Sequence, residues 1–175
     1  MTRTLLLTAM VLLEAVEVHA RKPENVRYDK FKDVTTVQSR THKWALGKLG
    51  ILGGGALDFE YQCPGQTADC QPGGITVTFT RRGMGWILMY GPKEIIFLAD
   101  GRRAAARDVS WDGLTTTDGV MEYFTGTLSP DDFHLIVTGR DAEMQVGGGS
   151  GFTKRFKAKD IEDWREFGAN IGKSD

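Results

Sequence analysis

The residues best suited to binding another molecule are four arginines and a tryptophan in the middle of the chain. Arg81 and Arg82 stand shortly before Trp86, and Arg102 and Arg103 follow a predicted hairpin turn. Arginine and tryptophan are enriched among the side chains that dominate binding energy at interfaces. Antiparallel neighbouring strands would bring these five residues to one edge, which predicts a partner-binding surface. The alternative is a solvated turn and a charged hairpin end, because turns commonly lie at the polar surface.

The sequence contains no arrangement of residues typical of a catalytic or metal-binding site. His42 lies in a polar stretch and His134 beside the apolar stripe of a predicted helix, and neither has a second ligand or a nucleophile at a supporting spacing. Asp58 and Glu60 share one face of a predicted strand, and the solvent-exposed face of that strand explains them equally well. We therefore predict no catalytic residue, no metal site and no cofactor.

Two cysteines flank a short segment that is rich in turn residues. Cys63 and Cys70 are separated by Pro-Gly-Gln-Thr-Ala-Asp, which could bring the two thiols together. Two thiols alone do not make a zinc site, which normally has four ligands, and the spacing is not the C-x-x-C of a redox motif. In an exported protein the pair predicts a structural disulfide, whereas in a cytosolic protein both thiols would be free.

The first twenty residues resemble a secretory signal peptide. Arg3 provides a positive start, Leu5–Leu13 an apolar run, and Val18–Ala20 a site of the A-x-A type. Glu14 and Glu17 interrupt the pattern, so the alternative is an amphipathic helix packed on the domain. The apolar run is shorter than the ~20 residues that span a bilayer, and we expect no transmembrane anchor. The pattern predicts a secreted or periplasmic protein.

The remaining residues, 21–175, have the length and composition of one globular domain. Hydrophobic residues make up 41% of the chain and charged residues 26%, which is an ordinary balance for a packed core. The formal net charge is -1, so no general attraction to nucleic acid or to anionic lipid is expected.

The stretch Gly74–Trp111 contains four strand-like runs, which we interpret as a central meander. Asp100-Gly101 is the strongest hairpin signal in it, because a type I′ turn needs positive φ at both central residues. Alternating or β-branched residues predict further strands on either side, whereas Trp44–Gly55 is ambiguous and Leu114–Gly119 is predicted as a loop. The predicted strands are Val26–Phe31, Val34–Arg40, Ala56–Cys63, Ile75–Thr80, Trp86–Tyr90, Glu94–Ala99, Arg102–Trp111 and Val120–Thr125.

The last third of the chain alternates between helical and strand patterns. Ser129 and Pro130 are typical of a helix start, and Gly139 of its end. Two strands, Ala142–Val146 and Phe152–Phe156, are predicted around the glycine-rich hairpin loop 147–151. A second helix is predicted from Asp160, with one apolar face formed by Ile161, Trp164, Phe167 and Ile171. The fold class predicted is α+β: a mostly antiparallel sheet with two C-terminal helices on one face, the main alternative being a partly closed, barrel-like sheet.

Part of the sequence resembles small exported bacterial proteins of unknown function. Tyr28–Thr36 (YDKFKDVTT) matches the Y-D-x-F-x-D-x-T pattern that opens their mature domain. Leu98–Gly101 and Leu128–Phe133 are similar to their later hairpin and helix start, whereas Thr138–Asp141 departs from their usual small-residue segment. The resemblance implies an exported domain and assigns no active site.

Two functions follow as alternatives. The first is an exported, non-catalytic domain that binds an unknown protein or another envelope or extracellular component, for which the arginine and tryptophan cluster is the candidate surface. The second is a small hydrolase or ligand-binding protein with a pocket between sheet and helices, which would use Asp58, Glu60 or His134. A single deep pocket with converging polar groups would favour the second, and a flat exposed patch the first.

Overall fold

Eleven strands and two helices are present in the computed structural model, which describes residues 25–45, 53–148, 151–169 and 171. The predicted signal-like segment therefore lies outside the described residues. The strands are β1 (Asn25–Asp29), β2 (Val34–Gln38), β3 (His42–Ala45), β4 (Gly54–Pro64), β5 (Ile75–Gly83), β6 (Ile95–Ala99), β7 (Arg102–Ala105), β8 (Arg107–Thr116), β9 (Gly119–Leu128), β10 (Ala142–Val146) and β11 (Phe152–Phe156). The helices are α1 (Pro130–Thr138) and α2 (Ala158–Gly168).

The larger sheet has seven strands in the order β1-β2-β4-β5-β9-β8, with β3 paired to the first half of β4. All its pairings are antiparallel. Strict alternation along β4 and β5 gives one buried and one half-exposed face, since successive side chains of a strand point to opposite faces. The inward face carries Leu57, Phe59, Val77 and Phe79, all fully buried.

The smaller sheet has four strands in the order β11-β10-β6-β7, also antiparallel. Its inward side chains, such as Phe97 and Met144, are fully buried. The two sheets are joined through the core, where the rings of Phe59 and Phe97 lie 6.2 Å apart between centroids. Neither sheet closes on itself.

The helices pack on the larger sheet through aromatic side chains. Phe133 of α1 and Trp164 of α2 contact Phe59 at centroid distances of 5.1 and 5.2 Å. The Ser129 hydroxyl accepts a hydrogen bond from the Asp132 N–H at the start of α1, as the N-cap pattern predicts. The predicted fold class, a mostly antiparallel sheet with two helices late in the chain, is confirmed.

The predicted central meander is wrong in one part. Residues 86–90 form no strand, because their apolar side chains do not alternate with polar ones. As a result β5 and β6 do not pair, and the chain between them passes from the larger sheet to the smaller one. The hairpin at Asp100-Gly101 is confirmed, with φ of 48° and 77°.

Several boundaries also differ from the prediction. The return strand Arg102–Trp111 is divided at Ala106, where the chain leaves the smaller sheet and enters the larger one as β8. Leu114–Gly119 is mostly strand, and only residues 117 and 118 form the turn. The second helix begins at Ala158 rather than Asp160, because the Asp160 side chain accepts the Lys157 N–H and so belongs to the first turn.

Candidate binding loop

An exposed apolar loop, Met84–Tyr90, connects β5 with the segment that leads to β6. Its large apolar side chains are unusually accessible for their type. The exposed fractions are Met84 79%, Trp86 37%, Ile87 57%, Met89 38% and Tyr90 87%. In contrast Leu88, at the centre of the loop, is 1% exposed. The loop is therefore held in the core by one side chain and presents the others to its surroundings.

A buried ion pair lies directly beneath the apolar loop. Arg81 and Glu122 are cross-strand partners on β5 and β9 and both point inward. Arg81 Nη1 lies 2.5 Å from Glu122 Oε2, and the two side chains are 5% and 0% exposed. A buried pair such as this is costly to leave incomplete, because either charge alone would remain desolvated.

Both members of the ion pair also bind the backbone of the apolar loop. The Arg81 guanidinium donates to the Gly85 carbonyl at 2.8 Å. The Glu122 carboxylate accepts the N–H of Leu88 at 2.8 Å and that of Ile87 at 3.2 Å. Hydrogen bonds with an ionised partner are roughly twice as strong as neutral ones. The conformation of the loop is thus set by two side chains in the core.

Two glycines beside the ion pair leave room for tryptophan rings. One row of residues in register crosses four strands: Gly55 on β4, Arg81 on β5, Glu122 on β9 and Gly113 on β8. A Cβ on Gly113 would come within 2.4 Å of the Trp86 ring, so that ring packs directly on the glycine backbone. At the other end of the row, a Cβ on Gly55 would meet the Trp44 ring at 2.5 Å.

The charged groups around the apolar loop are few and mostly balanced. Arg82 is paired with Asp118 at 2.8 Å, and both side chains are exposed. Lys93 donates to the Met89 carbonyl, and its ammonium lies 4.8 Å from the centre of a ring of Trp111. The rim of the apolar loop thus has a preformed ion pair and an exposed cation.

The predicted binding residues lie in two places. Arg81, Arg82 and Trp86 meet at the apolar loop, where Arg81 is buried and structural. Arg102 and Arg103 are exposed on β7 of the smaller sheet, and β7 pairs only with β6 among the described strands. The structure therefore brings three of the five together. That these five residues bind a partner stays a prediction.

Sequence reasoning missed Glu122 and most of the apolar loop. A signal for the pair exists, because Arg81 continues the inward series of Ile75, Val77 and Phe79. Glu122 likewise stands between inward Val120 and Phe124. Two opposite charges at inward positions of two strands indicate a buried pair. For the loop, the signal is a run of apolar residues between glycines without strand alternation.

The Cys63–Cys70 disulfide is formed, with a Cα–Cα distance of 5.8 Å. Cys63 continues the buried face of β4, and the backbone of Cys70 forms an isolated parallel bridge with Ile171. Nearby, burial and the Asp69 carboxylate raise the pKa of Tyr61 to about 12, and its hydroxyl donates to the Ala68 carbonyl. Cys70 is thus joined to β4 by the disulfide and to the segment after α2 by the bridge with Ile171.

The candidate catalytic groups do not converge. His134 lines an open groove of about 460 Å³ between α1 and the chain end, together with Phe133 and Ile171. Asp58 and Glu60 lie on the outer face of the larger sheet. The pKa of Asp58 is raised, because the effect of burial exceeds the opposing effect of the hydrogen bond from Gln38. His42 contacts Asp160, with Nδ1 3.2 Å from Oδ1. The described residues contain no group of three or more His, Cys, Asp or Glu side chains placed to hold a metal ion.

Comparisons with family models, with curated proteins and with solved structures gave no match. The resemblance to small exported bacterial proteins therefore stays a prediction. In the part of the chain that the structure describes, no helix is long and apolar enough to cross a membrane.

Proposed function

We propose that this protein is an exported, non-catalytic domain that docks onto a component of the cell envelope or the surrounding medium through the apolar loop. The observation that supports this proposal is that five large apolar side chains are accessible, while the backbone beneath them is hydrogen-bonded to Arg81 and Glu122. A surface that is already ordered loses little conformational entropy on binding.

The composition of the loop supports a binding role. Tryptophan, tyrosine and methionine are enriched at the cores of interfaces, and polar groups at their rims. The loop has this composition, since it exposes Trp86, Met89 and Tyr90 and has the Arg82–Asp118 pair beside it. An exposed cluster of this kind would be a liability in a protein without a partner.

Export is supported by the signal-like N-terminus and by the disulfide, since disulfides persist mainly in oxidising compartments. The test is the intact mass of the protein recovered from expressing cells, measured after alkylation with and without reductant. We expect loss of the first twenty residues and protection of Cys63 and Cys70 until reduction. A full-length chain whose thiols alkylate without reductant would refute export.

Docking is tested by introducing a photoreactive phenylalanine analogue at Tyr90 and, as a matched control, at Phe31. The two side chains are similarly exposed, at 87% and 89%, but Phe31 follows β1 at the opposite end of the larger sheet. Illumination of expressing cells should give adducts specific to position 90. Equal labelling from both positions would count against the apolar loop as the docking surface.

A further inference from the structure

We propose that the component bound by the apolar loop is the glycerophospholipid interface of a bilayer, into which the loop inserts. The inference rests on the proposed function, because it names the partner of the same surface. It follows from the exposed apolar area of the loop, its charge, and the hydrogen bonds of its backbone.

Most of the exposed apolar area of the loop belongs to Met84, Ile87 and Tyr90. Met84 and Tyr90 are 79% and 87% exposed, so each is in contact with the rest of the protein over a small part of its surface. Scaled by their exposed fractions, the five apolar side chains present about 600 Å². Moving apolar area from water into an apolar medium is favourable by about 25 cal/mol per Å², so burial of part of this area is enough to hold the loop at a bilayer. A bilayer can cover all five side chains together, because its acyl chains and headgroups adapt to the shape of an inserted segment.

The types of side chain suit the interfacial region of a bilayer. Trp86 and Tyr90 combine an apolar ring with a polar atom, and such residues are enriched at the level of the headgroups. Met84, Ile87 and Met89 provide apolar area without charge. Binding by an interfacial segment increases with the apolar area it buries and with its attraction to anionic groups.

The charge near the loop complements lipid phosphate. Arg82 and Asp118 neutralise one another, and Glu94 is half-buried beside Gly148. The exposed ammonium of Lys93 binds the Met89 carbonyl and has no carboxylate within 4 Å among the described residues. The loop thus combines exposed apolar side chains with one exposed cation bonded to its backbone, which matches the acyl chains and the phosphate of a lipid.

Several backbone groups of the loop are already bonded within the protein. The carbonyls of Gly85, Leu88 and Met89 accept from Arg81, Gly91 and Lys93, and Glu122 accepts two N–H groups. Polar groups that are satisfied internally reduce the penalty for moving a segment from water into an apolar medium. The loop is therefore suited to shallow insertion, with its remaining backbone groups among the hydrated headgroups.

The test is flotation of the full chain with phosphatidylcholine vesicles, with and without added phosphatidylglycerol. The loop variant combines Met84→Ser, Ile87→Ser and Tyr90→Ser, and the matched control is Phe31→Ser. All proteins share the same N-terminus, so differences between them report the loop. The wild type and the control should float together with the vesicles, and the partition coefficient of the loop variant should fall about 100-fold. The single variant Ile87→Asp should show a similar loss, and Lys93→Gln should weaken binding to the vesicles that contain phosphatidylglycerol.

Wild-type protein that stays with the buffer, or a loop variant that floats as well as the control, would overturn the inference. If the wild type does not float but position 90 forms a specific crosslink to a protein, the lipid inference fails and the proposed function stands. If position 90 gives no specific adduct and the wild type does not float, both fail. Thermal unfolding of each variant, expected to match the wild type, confirms that the loss of flotation is not unfolding.

Discussion

Arg81 and Glu122 stand opposite each other on β5 and β9, and both side chains point into the core rather than to solvent. The pair connects the larger sheet to the backbone of the apolar loop at Gly85, Ile87 and Leu88. A buried charge pair often adds little to stability, and in some proteins it instead contributes to the uniqueness of the structure. Here that uniqueness concerns the conformation of an exposed surface.

Glu122→Gln should destabilise the protein strongly. The variant leaves the Arg81 guanidinium buried without a counter-charge, which costs about 3–5 kcal/mol in comparable pairs. Urea unfolding measures the change in the free energy of unfolding. Asp118→Asn is the matched control, because it removes the carboxylate of the exposed pair with Arg82, which should contribute less than about 1 kcal/mol. Similar losses in both variants would contradict a structural role for the buried pair.

Gly113→Ala should displace the Trp86 ring. The added methyl group would lie 2.4 Å from that ring and 3.0 Å from the ring of Trp111, so one of them must move. Overpacking of this kind costs about 1–3 kcal/mol, less where an exposed ring can turn away. Tryptophan fluorescence should shift to longer wavelength as Trp86 becomes more hydrated. Gly85→Ala, in the same loop but with no atom within 4 Å of the new methyl group, should leave the emission unchanged.

Arg165→Met should loosen the C-terminal end of α1. The Arg165 guanidinium of α2 donates to the carbonyls of Val137 and Gly139 at 2.6 and 2.7 Å, whereas the last turn of α1 has no basic residue. Losing these charge-assisted bonds should cost about 1–3 kcal/mol. Amide hydrogen exchange in α1 should become faster. Arg155→Met, whose exposed side chain lies 3.7 Å from Glu143, serves as the control and should leave exchange in α1 unchanged.

Asp58→Asn should change the pH dependence of stability. Burial raises the pKa of Asp58 in the folded protein above 3.8, so the folded state binds this proton more tightly than the unfolded chain. The stabilisation is fully present below pH 3.8 and is lost as the pH rises through the folded-state pKa. The free energy of unfolding of the variant minus that of the wild type should therefore be larger at pH 7 than at pH 3. Unfolding experiments at pH 3 and pH 7 measure these free energies. An equal difference between variant and wild type at both pH values would show that Asp58 titrates as in the unfolded chain.

Much of the fold could be predicted because its signals are local. Alternation along β4 and β5, the Asp100-Gly101 turn and the Ser129 cap each depend on a few neighbouring residues. The division of the predicted meander between two sheets could not be read in this way. It depends on the segment between β5 and β6, where the chain leaves the larger sheet, and on Ala106, where the chain returns to it without a marked break in the pattern.

The candidate site was predictable only in part, since it is formed by residues distant in sequence. Residue type alone indicates Trp86 and Arg82, and the sequence analysis predicts Arg81 as part of the same partner-binding surface rather than as a buried residue. The burial of Arg81 requires Glu122, 41 positions later, and no local pattern connects the two. The grouping of Arg102 and Arg103 with Arg81, Arg82 and Trp86 assumes that all four strand-like runs share one sheet.

The hydrogen bond from Leu88 to Glu122 joins residues 34 positions apart, and this separation has a consequence for biogenesis. During synthesis or translocation, the apolar loop emerges before β9 and has no carboxylate to bind its backbone. Until about 30 further residues follow, its methionines and aromatic rings are available to chaperones and to other nascent chains. Truncations that end before β9 should therefore aggregate. Because the contact closes late, the surface of the apolar loop forms only after β9 has emerged.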